Sequence, residues 1–204
     1  MGYFQAGFDV VGIDIHPQPH FPFRFIHMDV FEFFDRCQRG EYPQPDVWHC
    51  SPPCQRFSIA GIVHRNAGKE YPDYVMPIYQ RLKEWGGPWV IENVVGVPIL
   101  SYAVTLCGLS FGLKVFRHRV FQSSRLLLAP PHFTHAGLRI GEGMFSVAGH
   151  AGRWKSWGTV SRNVSKGTAA EWREAMGIHW MTRTELCQAI PPAYTCYLGK
   201  LLMN

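Results

Sequence analysis

Apolar and polar positions along the chain alternate between short β-branched runs and stretches with helical spacing. Residues 8–14 (Phe-Asp-Val-Val-Gly-Ile-Asp) read as a buried parallel strand that ends on an acid, which places a carboxylate at a strand's C-terminal edge. Residues 30–38 have helical spacing, and residues 45–51 read as a second buried strand opening into a Pro-Pro turn. Residues 73–85 put Val75, Ile78, Tyr79, Leu82 and Trp85 on one helical face, and Gly86-Gly87-Pro88 stops that helix. A third strand is expected at 89–93 and a further one at 119–123. Helical patterning returns at 169–176, 182–188 and 192–202.

Strands alternating with helices predict an open α/β sheet with a ligand crevice at the carboxyl ends of its strands. Asp14, Cys54 and Glu92 all follow such strands. Between residues 125 and 166 the texture shifts to Gly, His, Pro and Ser with scattered Arg and Lys, which reads as an irregular insert. The expected organisation is a core over 1–124, the insert over 125–166 and C-terminal helices over 167–204 that complete the core.

Composition narrows the class. The 204 residues are 47% hydrophobic and 17% charged, without blocks of like charge, as in a folded globular domain. A formal net charge of +5 is compatible with a polyanionic partner and equally with ordinary solubility. The six cysteines show no paired metal spacing, no apolar run reaches the roughly 18 residues of a membrane span, and no signal peptide is evident, so a cytoplasmic location with reduced thiols is expected.

The candidate chemistry centres on Cys54. In Ser51-Pro52-Pro53-Cys54-Gln55 two prolines hold a cysteine in a rigid turn at a strand end, a geometry that suits a nucleophile; a lone cysteine is more commonly a half-buried structural thiol. Residues 51–58 (Ser-Pro-Pro-Cys-Gln-Arg-Phe-Ser) resemble the Pro-Cys-Gln catalytic motif of DNA cytosine-5 methyltransferases. Ile91-Glu92-Asn93-Val94 resembles the Glu-Asn-Val motif of the same family, Arg117-His118-Arg119 its Arg-x-Arg motif, and residues 188–193 (Gln-Ala-Ile-Pro-Pro-Ala) its closing motif.

The resemblance implies a Rossmann-like S-adenosylmethionine-dependent methyltransferase fold acting on double-stranded DNA, as in a phage or restriction-modification setting. Cys54 would attack C6 of a flipped-out cytosine, Glu92 would contact N3 and the exocyclic amine, and Arg119 the O2. Arg117 would support the loop or a phosphate, and Asn93 would brace the catalytic loop. For S-adenosylmethionine the resemblance implies Asp14 at the ribose hydroxyls, Ile15 on the adenine and Asp29 at its amine, with Pro53, Gln188 and Ala189 completing the cofactor side. Gln55, Arg56 and Ser58 would face DNA. So would Arg139, Arg153, Lys155 and Arg162 of the insert, where Trp154 and Trp157 interleave with the basic residues.

The chain departs from the family pattern at several points. It opens on text that reads like the helix after the family's first strand and Gly-rich cofactor loop, so that strand is expected to be lacking. Cys187-Gln188 replaces the usual Gly-Asn, Val115-Phe116 a usual polar pair, and the target-recognition region is short. Without the resemblance, Asp14 reads equally as an acid capping a turn, and the insert as an ordinary basic loop. A DNA-binding remnant without catalysis, and an enzyme acting on RNA or free nucleotides, are the alternatives. His132 and His135 have metal-compatible spacing, but with no partner ligand evident no metal is expected.

Overall fold

The computed structural model describes residues 1–58, 61–100, 102–148, 154–156, 159–161 and 167–203, the backbone alone at 63, 64, 154–156 and 159–161. The chain divides into two compact units. One, the sheet unit, holds residues 9–105 and 119–128; the other, the helical unit, holds residues 1–8, 106–118 and 129–203.

In the sheet unit, β1 (Val11–Asp14) pairs in parallel with β2 (Arg24–His27), with Asp14 opposite His27. Helix α2 (Val30–Gln38) follows. It starts where the Asp29 carboxylate accepts hydrogen bonds from Phe31 N (2.8 Å) and Glu32 N (3.3 Å), and it buries Phe33, Phe34 and Cys37 on one face. Strand β3 (Trp48–Cys50) leads to the short α3 (Ile62–Asn66) and to α4 (Val75–Trp85), whose Val75, Ile78 and Leu82 are buried. Gly86 at φ 76° ends α4 in the left-handed region that favours glycine.

Strands β4 (Trp89–Asn93), β5 (Val104–Leu106) and β6 (Arg119–Ser123) complete a four-stranded sheet in the order β3-β4-β6-β5, with β3 parallel and β6 antiparallel to β4. Every residue of β4 is buried, as its central position requires. Trp89 and Ile91 point into a core shared with Phe33, Phe34, Trp48, Ile78 and Leu82. By the two-residue period, Val90 and Glu92 face the other side.

The strand expected over 8–14 forms only over Val11–Asp14 and is half-buried rather than buried. The reason is its pairing: β1 and β2 form a sheet of their own, and no described strand is hydrogen-bonded between β1 and β3. A strand with one open edge keeps backbone and flanking side chains in contact with water.

In the helical unit, α1 (Gly2–Gln5) packs against α7 (Pro192–Leu202). A Cβ at Gly2 would collide with Pro192 O and Thr195, so this close approach requires glycine. Helices α5 (Ala169–Met176) and α6 (Arg183–Gln188) each open with a reciprocal capping box, Thr168 with Glu171 and Thr182 with Glu185. Their core gathers Trp172, Met176, Ile178 and Leu186 with Val115 and Val147. The Arg183 guanidinium stacks 3.8 Å from the Trp172 ring centre. Within the expected insert, β7 (Trp154–Ser156) and β8 (Thr159–Ser161) form a small antiparallel pair. No helix among the described residues is long and apolar enough to cross a membrane.

Candidate active site

Strand β3 ends at Cys50, and Pro52 and Pro53 turn the chain so that Cys54 stands half-buried just beyond the sheet edge. Cys54 O accepts hydrogen bonds from Phe57 N (3.0 Å) and Ser58 N (2.8 Å), which fold the following residues into a tight turn. The buried side chain of Asn93 donates to Pro52 O at 2.9 Å. The cysteine turn is thereby fastened to the end of β4, one residue beyond Glu92.

Cys50 and Cys54 stand in opposite environments. Burial pushes the Cys50 thiol up to about 12, which leaves it inert as a nucleophile, whereas Cys54 is only half-buried. The rigid turn therefore presents the one of the two thiols that a substrate can reach.

Glu92 lies opposite Phe121 in the β4–β6 register, and Arg119, two residues from Phe121, falls on the same face. The Arg119 Nε sits 3.0 Å from Glu92 Oε1 in a mostly buried ion pair. This face of the sheet also carries His49, whose ring centre is 6.3 Å from that of Phe121 and whose Nε2 lies 3.1 Å from Ser51 Oγ. Burial pushes the His49 imidazole down to about 4.

A histidine held neutral in the fold and protonated in the unfolded chain contributes stability above pH ~6.5 that is lost as pH falls toward 4, because only the unfolded state takes up the proton. Chemical denaturation across this range is expected to show a decline of about 2 kcal/mol, discounted from the full shift because the ring keeps some exposure. His49→Gln should flatten that decline, and an unchanged profile in the variant would remove His49 as its source.

At the C-terminal edge of the β1–β2 pair, Asp14 Oδ1 accepts from His16 N (2.8 Å) and Oδ2 from Gln18 Nε2 (3.0 Å). Met28 N donates to Asp14 O at 3.0 Å, so Asp14 and Asp29 share that edge, and Ile15 beside them is 53% exposed. Two carboxylates and an uncovered aliphatic side chain suit the hydroxyls, amine and flat face of an adenosine. Asp29 has one oxygen committed to the start of α2.

Pro53 and Gln55 are exposed on the cysteine turn. Arg56 donates to Tyr71 O at 3.0 Å, and Ser58 Oγ accepts from Gly61 N at 3.1 Å. Arg56, Phe57, Arg65, Lys69 and Tyr71 line an open groove of about 760 Å³ that begins two residues after Cys54. Sequence reading had no hold on Arg65 or Lys69, which carry no motif and join the groove only through the fold.

The remaining expected residues belong to the helical unit. Arg117 is buried and donates to Val147 O (2.7 Å) and Cys187 O (2.8 Å), while its own carbonyl accepts from Tyr194 Oη (2.6 Å). These bonds tie the Arg-x-Arg segment to the closing motif, where Gln188 is exposed and Ala189 half-buried. The guanidinium of Arg117 thus braces backbone, and the fork matches two carbonyls. Arg139 is exposed; Arg153, Arg162 and the side chain of Lys155 lie outside the described residues. His132 and His135, which have no evident partner in the sequence, are gathered with Cys107 and His118.

No protein-family model matches the chain, and no curated protein does. Among solved structures it is similar to the Entamoeba histolytica methyltransferase EhMeth, with a TM-score of 0.55 and 12% identity over 99% of this chain and 94% of that one. The mixed α/β architecture described above is thus shared, over nearly the full length of both chains, with a methyltransferase.

Proposed function

We propose that this protein transfers a methyl group from S-adenosylmethionine to C5 of cytosine in DNA through a covalent Cys54–C6 adduct. The observation that carries the reading is the joint placement of Cys54 and Glu92. A proline-stiffened turn bearing a half-buried thiol is fastened by Asn93 to the strand that bears the Glu92–Arg119 pair. The motif order of the sequence and the methyltransferase fold of a structural neighbour support it.

C5 of cytosine is a weak nucleophile, and addition of the Cys54 thiolate to C6 turns the ring into an enamine with electron density at C5. S-adenosylmethionine, when bound at Asp14, Ile15 and Asp29, supplies the methyl sulfonium that this carbon attacks. Pro53 completes the cofactor side of this reading within the sheet unit. Loss of the C5 proton then restores the ring double bond and expels the Cys54 thiolate. Glu92 meets N3 and the exocyclic amine as charge develops there, and Arg119 meets O2. The target atom is hidden in a duplex, so the base must leave the stack. The groove beside Cys54, with Arg56, Arg65 and Lys69 among aromatic rings, offers phosphate contacts and stacking surfaces for the flanking strand. Gln55 and Ser58 on the same turn extend the DNA side of the reading.

The test is transfer of labelled methyl to unmethylated double-stranded DNA, with RNA of the same sequence as competitor and the product base identified after hydrolysis. Label in 5-methylcytosine from DNA is expected. Label in RNA alone, or in a base other than cytosine, would overturn the substrate assignment.

A second reading, a DNA-binding remnant without catalysis, is favoured by the separation of the β1–β2 pair from the four-stranded sheet. Cofactor affinity separates the two. The enzyme should bind S-adenosylmethionine in the micromolar range, roughly 8 kcal/mol, and the remnant should not bind at millimolar concentration.

A further inference from the structure

We propose that Cys107, His118, His132 and His135 form a structural zinc site in the helical unit, independent of the methyltransferase reading. Each residue offers one ligand atom, and the four atoms lie within 4.8 Å of one another. Cys107 Sγ is 3.4 Å from His135 Nε2, and His118 Nε2 is 3.1 Å from His132 Nε2. Zinc–nitrogen bonds of about 2.0–2.1 Å and a zinc–sulfur bond of about 2.3 Å, set at tetrahedral angles, place nitrogen pairs about 3.4 Å and sulfur–nitrogen pairs about 3.6 Å apart. Both measured separations fall close to those values, so one ion can serve all four atoms with small adjustments.

The side chains converge from three parts of the chain. Cys107 precedes the 3₁₀ turn Gly108–Phe111, His118 directly precedes β6, and His132 and His135 sit on a loop without regular secondary structure. The three imidazole rings crowd together, with centres 5.0 to 5.3 Å apart. The cluster contains no carboxylate, and a single proton can serve the close His118–His132 contact. His135 also stacks on Phe116, with ring centres 4.6 Å apart, and Cys107 is fully buried, but packing alone does not bring one ligand atom from each of the four residues together, which a divalent cation does.

The loop that carries two of the histidines is held close to Cys107. Ser110 Oγ donates to Pro131 O at 2.8 Å, which holds the ligand loop against the turn that carries Cys107. Three nitrogens and one sulfur fill a tetrahedral shell and leave no position for water or substrate. That is the arrangement of a structural site rather than a catalytic one. The ion would fasten the irregular segment around residues 130–136, where Phe133 is largely exposed, to the turn after β5.

The test uses the full chain. After dialysis against metal-free buffer, elemental analysis should find close to one zinc per chain. Replacement by cobalt(II) should give the visible absorption of tetrahedral cobalt together with a thiolate-to-cobalt charge-transfer band. Cys107→Ser is expected to abolish that band, and His132→Ala, at an exposed position, to weaken zinc affinity by more than about 100-fold. His179→Ala, an exposed histidine away from the cluster, should bind zinc as the parent does. The cobalt spectrum of the unaltered chain reads the site without any variant. Substoichiometric zinc with no charge-transfer band, or full affinity retained by both ligand variants, would overturn the proposal.

Discussion

Cys54→Ala is expected to lower methyl transfer to cytosine by more than about four orders of magnitude, since removal of a covalent nucleophile costs roughly that much. Stability should change by no more than about 0.5 kcal/mol, because the side chain is half-buried at a turn and leaves no deep cavity. The decisive measurement is capture on DNA bearing 5-fluorocytosine in the presence of S-adenosylmethionine. Fluorine at C5 cannot leave as a proton does, so the ring double bond is not restored and the adduct persists through denaturing electrophoresis. The unaltered protein should form that complex, Cys54→Ala should not, and Cys50→Ala should, since the Cys50 thiol is buried and pushed up to about 12. Capture that follows Cys50 instead would sink the assignment of the nucleophile.

That experiment depends on features of unequal legibility in the sequence. Helix α2, strands β4 and β6, and helices α5 and α7 occupy the residues their patterns predict, because each announces itself locally. Asp29 caps α2, an unbroken apolar run makes β4, and Thr168 with Glu171 opens α5. Strand β2 escaped notice: Pro17, Pro19 and Pro22 precede it, and its aromatic neighbours read as loop. Strand β5 has three residues, too few for a period. The half-burial of β1 follows from its place in a two-stranded sheet rather than from its composition.

The site shows the same division. Cys54 and Glu92 are marked by their motifs and by the strands they follow. Their environment is set by pairings that no local pattern encodes: Arg119 reaches Glu92 only through the antiparallel β4–β6 register, and Asn93 reaches Pro52 across 41 residues. The histidine cluster is the extreme case. Its ligands are separated by 11, 14 and 3 residues, and two come from outside the loop whose spacing attracted notice. Contacts of this kind follow from topology, which the sequence states indirectly.

Arg117→Ala is expected to destabilise the protein by about 3–5 kcal/mol, a loss large enough to unfold many domains at physiological temperature. The guanidinium is 3% exposed and spans two backbone carbonyls, Val147 O and Cys187 O, the first 30 and the second 70 residues away in sequence. Alanine would strand those acceptors, Val147 O buried and Cys187 O partly so, and each abandoned buried group costs about 1–3 kcal/mol. Arg117→Lys keeps the charge but replaces a planar fork by a single point donor, so it can satisfy one carbonyl well and should lose about half as much. Denaturant titrations of both variants, read by tryptophan fluorescence, should rank alanine below lysine below the parent. Arg119→Ala offers the contrast. It removes the ion-pair partner of the buried Glu92 and should depress methyl transfer as well as stability, since the role argued for it is contact with the base and the abandoned carboxylate is left buried. Equal stability of Arg117→Ala and the parent would mean that the two carbonyls find other donors, and that the brace between the two motifs is dispensable.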